Sequence, residues 1–323
     1  MTYNLALYTI QQAYQRIKPY VRHTPMMPAP LMHTDVSSNL LLKLENMQLT
    51  GSFKLRGVIN TLLSLTDEER QRGVVASSGG NHGLALAYAA QRLGIPATIY
   101  LPNTATADRV NRIRYFQAQV VQYGTVWDEA HTRALEHAAQ DNLYYVHPFN
   151  APRTLAGQGT LGLELLDDVP DVDCVLIAIG GGGLIGGMGA ALKQLRPQLR
   201  IIGVEPTGAA SMDASLKAGY VVELPSISTI ADTLQPRSVG EMTFSLAQRY
   251  VDAVVLVEDH QMIEAMRWLW LECNQLVEPA GAAVIAALLN GNADIRTARR
   301  PVAVICGGNA AAGSVFTTYE AAL

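Results

Sequence analysis

Cysteine is scarce in this chain of 323 residues: only Cys174, Cys273 and Cys306 occur, at scattered positions. That excludes a disulfide framework, and the three also lack metal-ligand spacing. No basic run occurs, and 24 basic residues stand against 28 acidic ones. Nucleic-acid binding therefore has no electrostatic support. Apolar stretches reach about ten residues or are broken by glycine, too short to span a bilayer. The start, Met1 to Pro25, carries an amphipathic pattern (Tyr8, Ile10, Tyr14, Ile17) without the apolar core of a signal peptide. Internal repeats and low-complexity segments are missing too. These absences predict a cytoplasmic protein whose partners are neither nucleic acid nor membrane.

What is present is enough for a packed core: 49% of residues are hydrophobic and 16% charged. The length suggests about two domains. From Val74 to Val146 apolar strands (Val74–Ser77, Ala97–Leu101, Val120–Tyr123, Leu143–Val146) alternate with helical runs (His82–Arg92, Ala107–Gln117, Val126–Gln140). Such alternation predicts a parallel sheet with helices on its faces. Further strands are expected near Val172–Ile179, Arg200–Val204, Ala253–Val257 and Val302–Ile305. The expected organisation is a discontinuous large α/β domain, residues 1–70 and 149–323, with a small α/β domain, residues 71–148, closing over a cleft.

Three local patterns carry chemistry. In Thr50-Gly51-Ser52-Phe53-Lys54-Leu55-Arg56-Gly57, a lysine follows a small turn and precedes an apolar-periodic run. This reads as a helix start, where the dipole favours a neutral amine able to attack an aldehyde; the bland alternative is a solvated surface lysine. The run Val175 to Ile179 ends in Gly180-Gly181-Gly182-Gly183-Leu184, and small apolar residues follow at helical spacing. Strand, glycine loop and helix point backbone N–H groups at a phosphate. The run Val302 to Ile305 ends in Cys306-Gly307-Gly308-Asn309, which brings a thiol to the strand's C-terminal edge, where ligands of parallel sheets gather. Cys306 has a core reading as well, since free cysteines are often buried.

With His23-Thr24-Pro25, Ser78-Gly79-Gly80-Asn81-His82-Gly83, His147-Pro148-Phe149, Gly157-Gln158-Gly159-Thr160, Gly203-Val204-Glu205-Pro206 and Glu278-Pro279-Ala280-Gly281, these blocks run through nearly the whole chain. In order and spacing they resemble the pyridoxal-phosphate enzymes of the tryptophan-synthase-β type (fold type II), in the serine/threonine dehydratase and serine racemase branch. The resemblance implies a two-domain α/β fold with parallel and mixed sheets, and pyridoxal 5'-phosphate as cofactor. It makes Lys54 the Schiff-base lysine and sets Phe53 near the pyridine ring. It gives Asn81 the ring hydroxyl, Gly180, Gly181, Gly182, Gly183 and Leu184 the phosphate, and Cys306 the ring nitrogen. Ser78, Gly79, Gly80, Asn81 and His82 open a helix whose N–H groups suit a substrate carboxylate. A homodimer or homotetramer is expected. So is the lack of an appended regulatory domain, because the chain stops shortly after the Cys306 block.

The implied activity is loss of water and ammonia from an L-β-hydroxy amino acid, L-threonine or L-serine first, giving a 2-oxo acid. A neutral thiol at the ring nitrogen leaves a shallower electron sink than a carboxylate, which favours rapid expulsion of a β-leaving group. Racemases of this branch carry a second serine where Gly79 stands here, and glycine cannot shuttle a proton. A one-residue shift would give that role to Ser78, so racemization is the alternative activity, beside dehydration of a bulkier substrate. Gly181-x-Gly183-x-x-Gly186 with Glu205 about twenty residues on also fits a dinucleotide fingerprint. A nicotinamide oxidoreductase leaves Lys54 and Cys306 without a role. Other positions keep two readings. Glu205 and Ala209 match part of a divalent-cation site, but Ser211 stands where an aspartate is expected, and Glu205 reads equally as a solvated carboxylate. Glu278 either offsets a helix dipole or lies near the ring. His82 and His147 orient the loop or line the pocket. Asn150 and Thr233 depart from the branch and bear on specificity. The stripe Met266, Trp268, Leu269 and Trp270 belongs to the core or a subunit interface.

Overall fold

A computed structural model describes residues 3–30, 39–293, 295 and 297–309. Ten strands fall in these segments: β1 (Met26–Pro28), β2 (Leu41–Leu44), β3 (Val74–Ser77), β4 (Ala97–Leu101), β5 (Gln119–Gln122), β6 (Tyr144–Tyr145), β7 (Cys174–Ala178), β8 (Arg200–Pro206), β9 (Ala253–Val257) and β10 (Pro301–Ile305). The helices are α1 (Leu7–Ile17), α2 (Lys54–Leu63), α3 (Asp67–Arg72), α4 (Asn81–Leu93), α5 (Ala107–Tyr115), α6 (Trp127–Gln140), α7 (Pro152–Asp168), α8 (Gly183–Leu195), α9 (Ser211–Ala218), α10 (Glu241–Tyr250), α11 (Asp259–Cys273) and α12 (Pro279–Leu289).

The strands form two sheets, one ordered β1-β2-β10-β7-β8-β9 and one ordered β5-β4-β3-β6. The smaller sheet is parallel throughout. In the larger one only β1 runs antiparallel, against β2. The chain is thus α/β with parallel and mixed sheets, as expected. The strands of the smaller sheet lie between Val74 and Tyr145, and the larger sheet takes its strands from both flanking segments. The apolar core of the smaller sheet also takes in Leu55, Val58, Ile59 and Leu62 of α2. Helix α2 therefore packs on both parts, against α4 on one side and α7 on the other.

Strands β7 and β10 are buried along their whole length, which is why they read as continuous apolar runs. They lie side by side and parallel, so their C-terminal ends, Gly180 and Cys306, emerge at the same edge. Strand β2 flanks β10 on the other side and carries a buried charge, Lys43. Its ammonium contacts Glu164 at 2.8 Å and Asp168 at 2.6 Å. His23, Glu164 and Asp168 could together offer metal ligands, but Lys43 already supplies the cation there. Beside it, Arg56 of α2 is fully buried between Glu45 and Glu164, each at 2.8 Å. Thr24, from the His23-Thr24-Pro25 block, donates its hydroxyl to Glu45 at 2.6 Å. In α11, Met262, Ala265 and Leu269 face the core, whereas Trp270 and Leu271 are exposed. None of the described helices is long and apolar enough to cross a membrane.

Candidate active site

The turn before α2 is stitched to the end of β10. Phe53 N–H donates to Cys306 O at 3.1 Å and Gly308 N–H donates to Gly51 O at 2.9 Å. These bonds hold Lys54, the first residue of α2, beside the strand end that carries Cys306. The Lys54 amine donates to Pro148 O at 2.9 Å. Although the residue is half-buried, protein surrounds its amine. That burial lowers its pKa to about 8, while Cys306 and Glu278 pull it back up. A larger neutral fraction is available near neutral pH than for an ordinary lysine.

A cleft of about 430 Å³ joins Lys54, Phe53, Asn81, the loop Gly180 to Leu184, Glu278 and Cys306. Sequence reading expected all of these residues but Glu278, which kept two readings, near the cofactor, and the fold brings them together in one cleft. The same cleft is lined by Phe149, Thr233, Leu234 and Ala280. The loop leads directly into α8, and no side chain caps that helix. Its first N–H groups lack an intrahelical acceptor and carry the positive end of the dipole. A side chain at Gly181 would run into the ring of Phe149, so the loop must be bare to admit that ring. An uncapped helix start and a desolvated amine lining one cleft fit a phosphorylated aldehyde, and so fit pyridoxal phosphate.

Cys306 is buried, and its thiol contacts Ala280 O at 3.4 Å. Burial pushes its pKa up, with Glu278 adding to the effect, so the sulfur stays neutral. Glu278 caps no backbone group of α12 with its side chain. Instead it accepts from the Asn81 amide at 2.6 Å and the Thr233 hydroxyl at 3.4 Å. Burial raises its pKa to about 7, against the pull of the Asn81 bond. Of its two sequence readings, the one near the cofactor cleft matches this position.

Ser78, Gly79 and Gly80 form the turn between β3 and α4, where the Ser78 hydroxyl accepts from Gly80 N–H at 3.3 Å. At Gly79 a Cβ would press against Leu101, so a side chain there would have to displace that residue. His82 is buried beneath this turn, and its Nε2 contacts Val146 O at 2.8 Å. Burial, helped by Lys54, lowers its pKa to about 3 and keeps the ring neutral. His147 accepts from Phe149 N–H and Asn150 N–H at Nδ1, at 3.2 and 2.9 Å. It thereby shapes the turn that presents Pro148 O to Lys54. Burial lowers its pKa to about 4.

Glu205 lies elsewhere, at the end of β8. Its carboxylate accepts from Met212 N–H at 2.9 Å and Asp213 N–H at 2.8 Å, in the first turn of α9. Burial raises its pKa to about 8. This buried position replaces the solvated reading of Glu205. Both oxygens serve the start of α9, and among the described residues no cluster of three His, Cys, Asp or Glu ligands includes Glu205. Ala209 is buried in the neighbouring turn.

Sequence reasoning missed Asn309 and Pro148 as contact residues and Arg109 and Arg112 as lining. Asn309 donates to Asn81 Oδ1 at 2.7 Å and to Thr50 O at 2.8 Å. It links the Lys54 turn to the start of α4. The asparagine ending the Cys306 block was the available signal.

Residues 17–307 match the profile of the family described as pyridoxal-phosphate dependent enzyme. The chain is 39% identical to an L-threonine ammonia-lyase of Thermotoga maritima, over 94% of this chain and 76% of that one. It is 36% identical to a serine racemase of Arabidopsis thaliana, over 98% and 97%. The fold superposes on maize serine racemase with a TM-score of 0.92 at 33% identity, covering 99% of this chain and 98% of the other. The match spans both sheets and the cleft between Lys54, the glycine loop and Cys306, and the chain belongs to the pyridoxal-phosphate dependent enzyme family.

Proposed function

We propose that this protein is an ammonia-lyase acting on L-β-hydroxy amino acids, L-threonine and L-serine being the simplest. The observation that carries the reading is the meeting of the Lys54 amine, the bare glycine loop and a neutral Cys306 thiol in one cleft. Similarity to threonine ammonia-lyases supports it. Three free, buried cysteines support a reducing compartment, the cytoplasm.

In this reading the N–H groups of Gly180 to Leu184 would hold the cofactor phosphate, Phe53 would pack near the ring, Asn81 would bond the ring hydroxyl, and the neutral Cys306 thiol would serve the ring nitrogen. When bound, the cofactor supplies an electron sink for the charge left at the substrate Cα. Lys54 would hold the cofactor through its amine, and the same amine, once free, would take the Cα proton of the substrate. A positioned base of this kind contributes about 10²–10⁴-fold in rate. The N–H groups of the Ser78–His82 turn receive the substrate carboxylate. Glu278 orients Asn81 through their 2.6 Å bond. The hydroxyl leaves as water, and the products after hydrolysis are a 2-oxo acid and ammonia.

Likeness to serine racemases favours a second reading, inversion at Cα. Gly79 argues against it, because inversion needs a proton donor on the second face and position 79 has no side chain. The Ser78 hydroxyl, the remaining candidate, accepts from Gly80 N–H in its own turn and keeps its proton, so the chiral assay decides its role. The decisive assay measures 2-oxo acid and ammonia from L-threonine, L-serine and bulkier β-hydroxy amino acids, with chiral analysis of residual substrate. We expect stoichiometric keto acid and ammonia with little inversion. Turnover of alanine or aspartate, with none of the β-hydroxy compounds consumed, would contradict the elimination.

We also propose a homodimer or homotetramer, on the exposure of Trp270 and Leu271 on α11. A monomeric mass by sedimentation equilibrium would contradict that.

A further inference from the structure

The hydrogen-bond ladder between β3 and β6 stops short of the turn that opens α4. Tyr144 N–H donates to Gly73 O at 3.1 Å, and Val146 N–H donates to Val75 O at 2.9 Å. Continued in the same step, the next donor would be residue 148 and the next acceptor Ser77 O. Residue 148 is proline, which has no N–H. Ser77 is the last residue of β3 and is fully buried. A buried carbonyl left without a donor is costly. Here the donor comes from outside the sheet. The indole of Trp127, the first residue of α6, donates from Nε1 to Ser77 O at 3.1 Å.

Trp127 is 41% exposed, yet its ring is held. It stacks on His131, one turn along α6, with centroids 4.5 Å apart and planes 10° from parallel. His131 Nδ1 in turn contacts the Tyr145 hydroxyl at 2.8 Å. Burial raises the Tyr145 pKa, and a hydrogen bond with the Ser77 backbone opposes that rise. Both ends of the trio, the Trp127 indole and the Tyr145 hydroxyl, therefore meet at Ser77. On its other side β3 is tied to β4, where Ser78 N–H donates to Tyr100 O at 3.2 Å. Pro148, missing from the ladder, presents its own carbonyl to the Lys54 amine at 2.9 Å. The chain thus turns away from the small sheet toward the cleft, and α6 takes over the abandoned end of β3. That end leads straight into Ser78–His82, the turn that receives the substrate carboxylate in the function proposed above.

We propose that Trp127 is a positioning residue for substrate binding: its indole N–H, steadied by His131 and Tyr145, fixes the end of β3 and so aims the N–H groups of the Ser78–His82 turn at the substrate carboxylate. This inference rests on the carboxylate site proposed above and deepens it.

Trp127→Phe keeps a ring against His131 and deletes the donor. Holoenzyme is titrated with L-alanine and with L-alaninamide, which differ at the carboxylate and carry no β-leaving group; the change in visible absorbance reads binding. We expect the wild type to prefer alanine, and Trp127→Phe to lose about 3- to 10-fold of that preference, the usual worth of one hydrogen bond. Affinity for alaninamide and for the cofactor should not change. His131→Ala, which frees the indole, should show the same loss in smaller measure. Hydrogen exchange of the cofactor-free protein gives a readout without ligand. In Trp127→Phe the peptide spanning residues 77–82 should exchange faster, and peptides from β4 and β5 should not. An unchanged preference for alanine, or faster exchange throughout the small sheet, would overturn this inference and leave the carboxylate site standing. Equal affinity of the wild type for the two ligands, or no response to either, would overturn both.

Discussion

Lys54, the tetraglycine loop and Cys306 were legible in the sequence because each is a local pattern: a small turn, a strand and a helix start within about ten residues. Their partners were not. Pro148 O reaches Lys54 across 94 positions and Asn309 reaches Asn81 across 228, and no local periodicity encodes such contacts. Glu278 kept two readings for the same reason, since its partner Asn81 is 197 residues away. Its surroundings yield a prediction. In the fold its pKa lies near 7, above the ordinary value of 4.5, so the folded state holds this proton more tightly than the unfolded chain does. The resulting stability is fully present below about pH 4.5 and is lost as pH rises through about 7. Glu278→Gln, which mimics the protonated acid, should remove that slope from the cofactor-free protein. The shift corresponds to a change on the order of 3 kcal/mol between wild type and variant across this window. Glu205, also raised, adds a parallel slope that both proteins share. Urea titrations at several pH values read the difference, and identical profiles would contradict the buried, protonated Glu278.

At the scale of elements, the fully buried strands and the helices α4, α5 and α6 were foreseen within a few residues, whereas α3, α7, α9 and α10 were not. Strand β2 was not, because Lys43 interrupts its apolar run, and that lysine's Asp168 partner lies 125 residues away. Strand β1 is three residues long and ends in proline, too short for a period to show. Helix α7 explains the Gly157-Gln158-Gly159-Thr160 block, which looked functional in the sequence. It packs against α2, and a Cβ at Gly157 would approach Arg56 O to 2.5 Å. The motif allows close approach of the helix that begins with Lys54. Gly157→Val should therefore destabilise the protein by about 1–3 kcal/mol, the usual cost of overpacking. Because α2 would shift, cofactor affinity should fall with it. Chemical denaturation and cofactor titration measure the two effects; a variant with unchanged stability would contradict the tight α2–α7 contact.

For the whole molecule, two sheets and a helix shared between them explain why one cleft can gather residues from the whole length of the chain. The larger sheet delivers the glycine loop and Cys306 from adjacent parallel strands, and the smaller one delivers the Ser78 turn. Helix α2, packed on both, sets Lys54 at their junction. The most direct test of this arrangement is covalent. The holoenzyme is reduced with borohydride, digested and mapped by mass spectrometry. The account predicts a phosphopyridoxyl group on Lys54, in stoichiometric amount, with loss of the visible absorbance. Label on a different lysine, or an active enzyme with Lys54 unmodified after reduction, would contradict it.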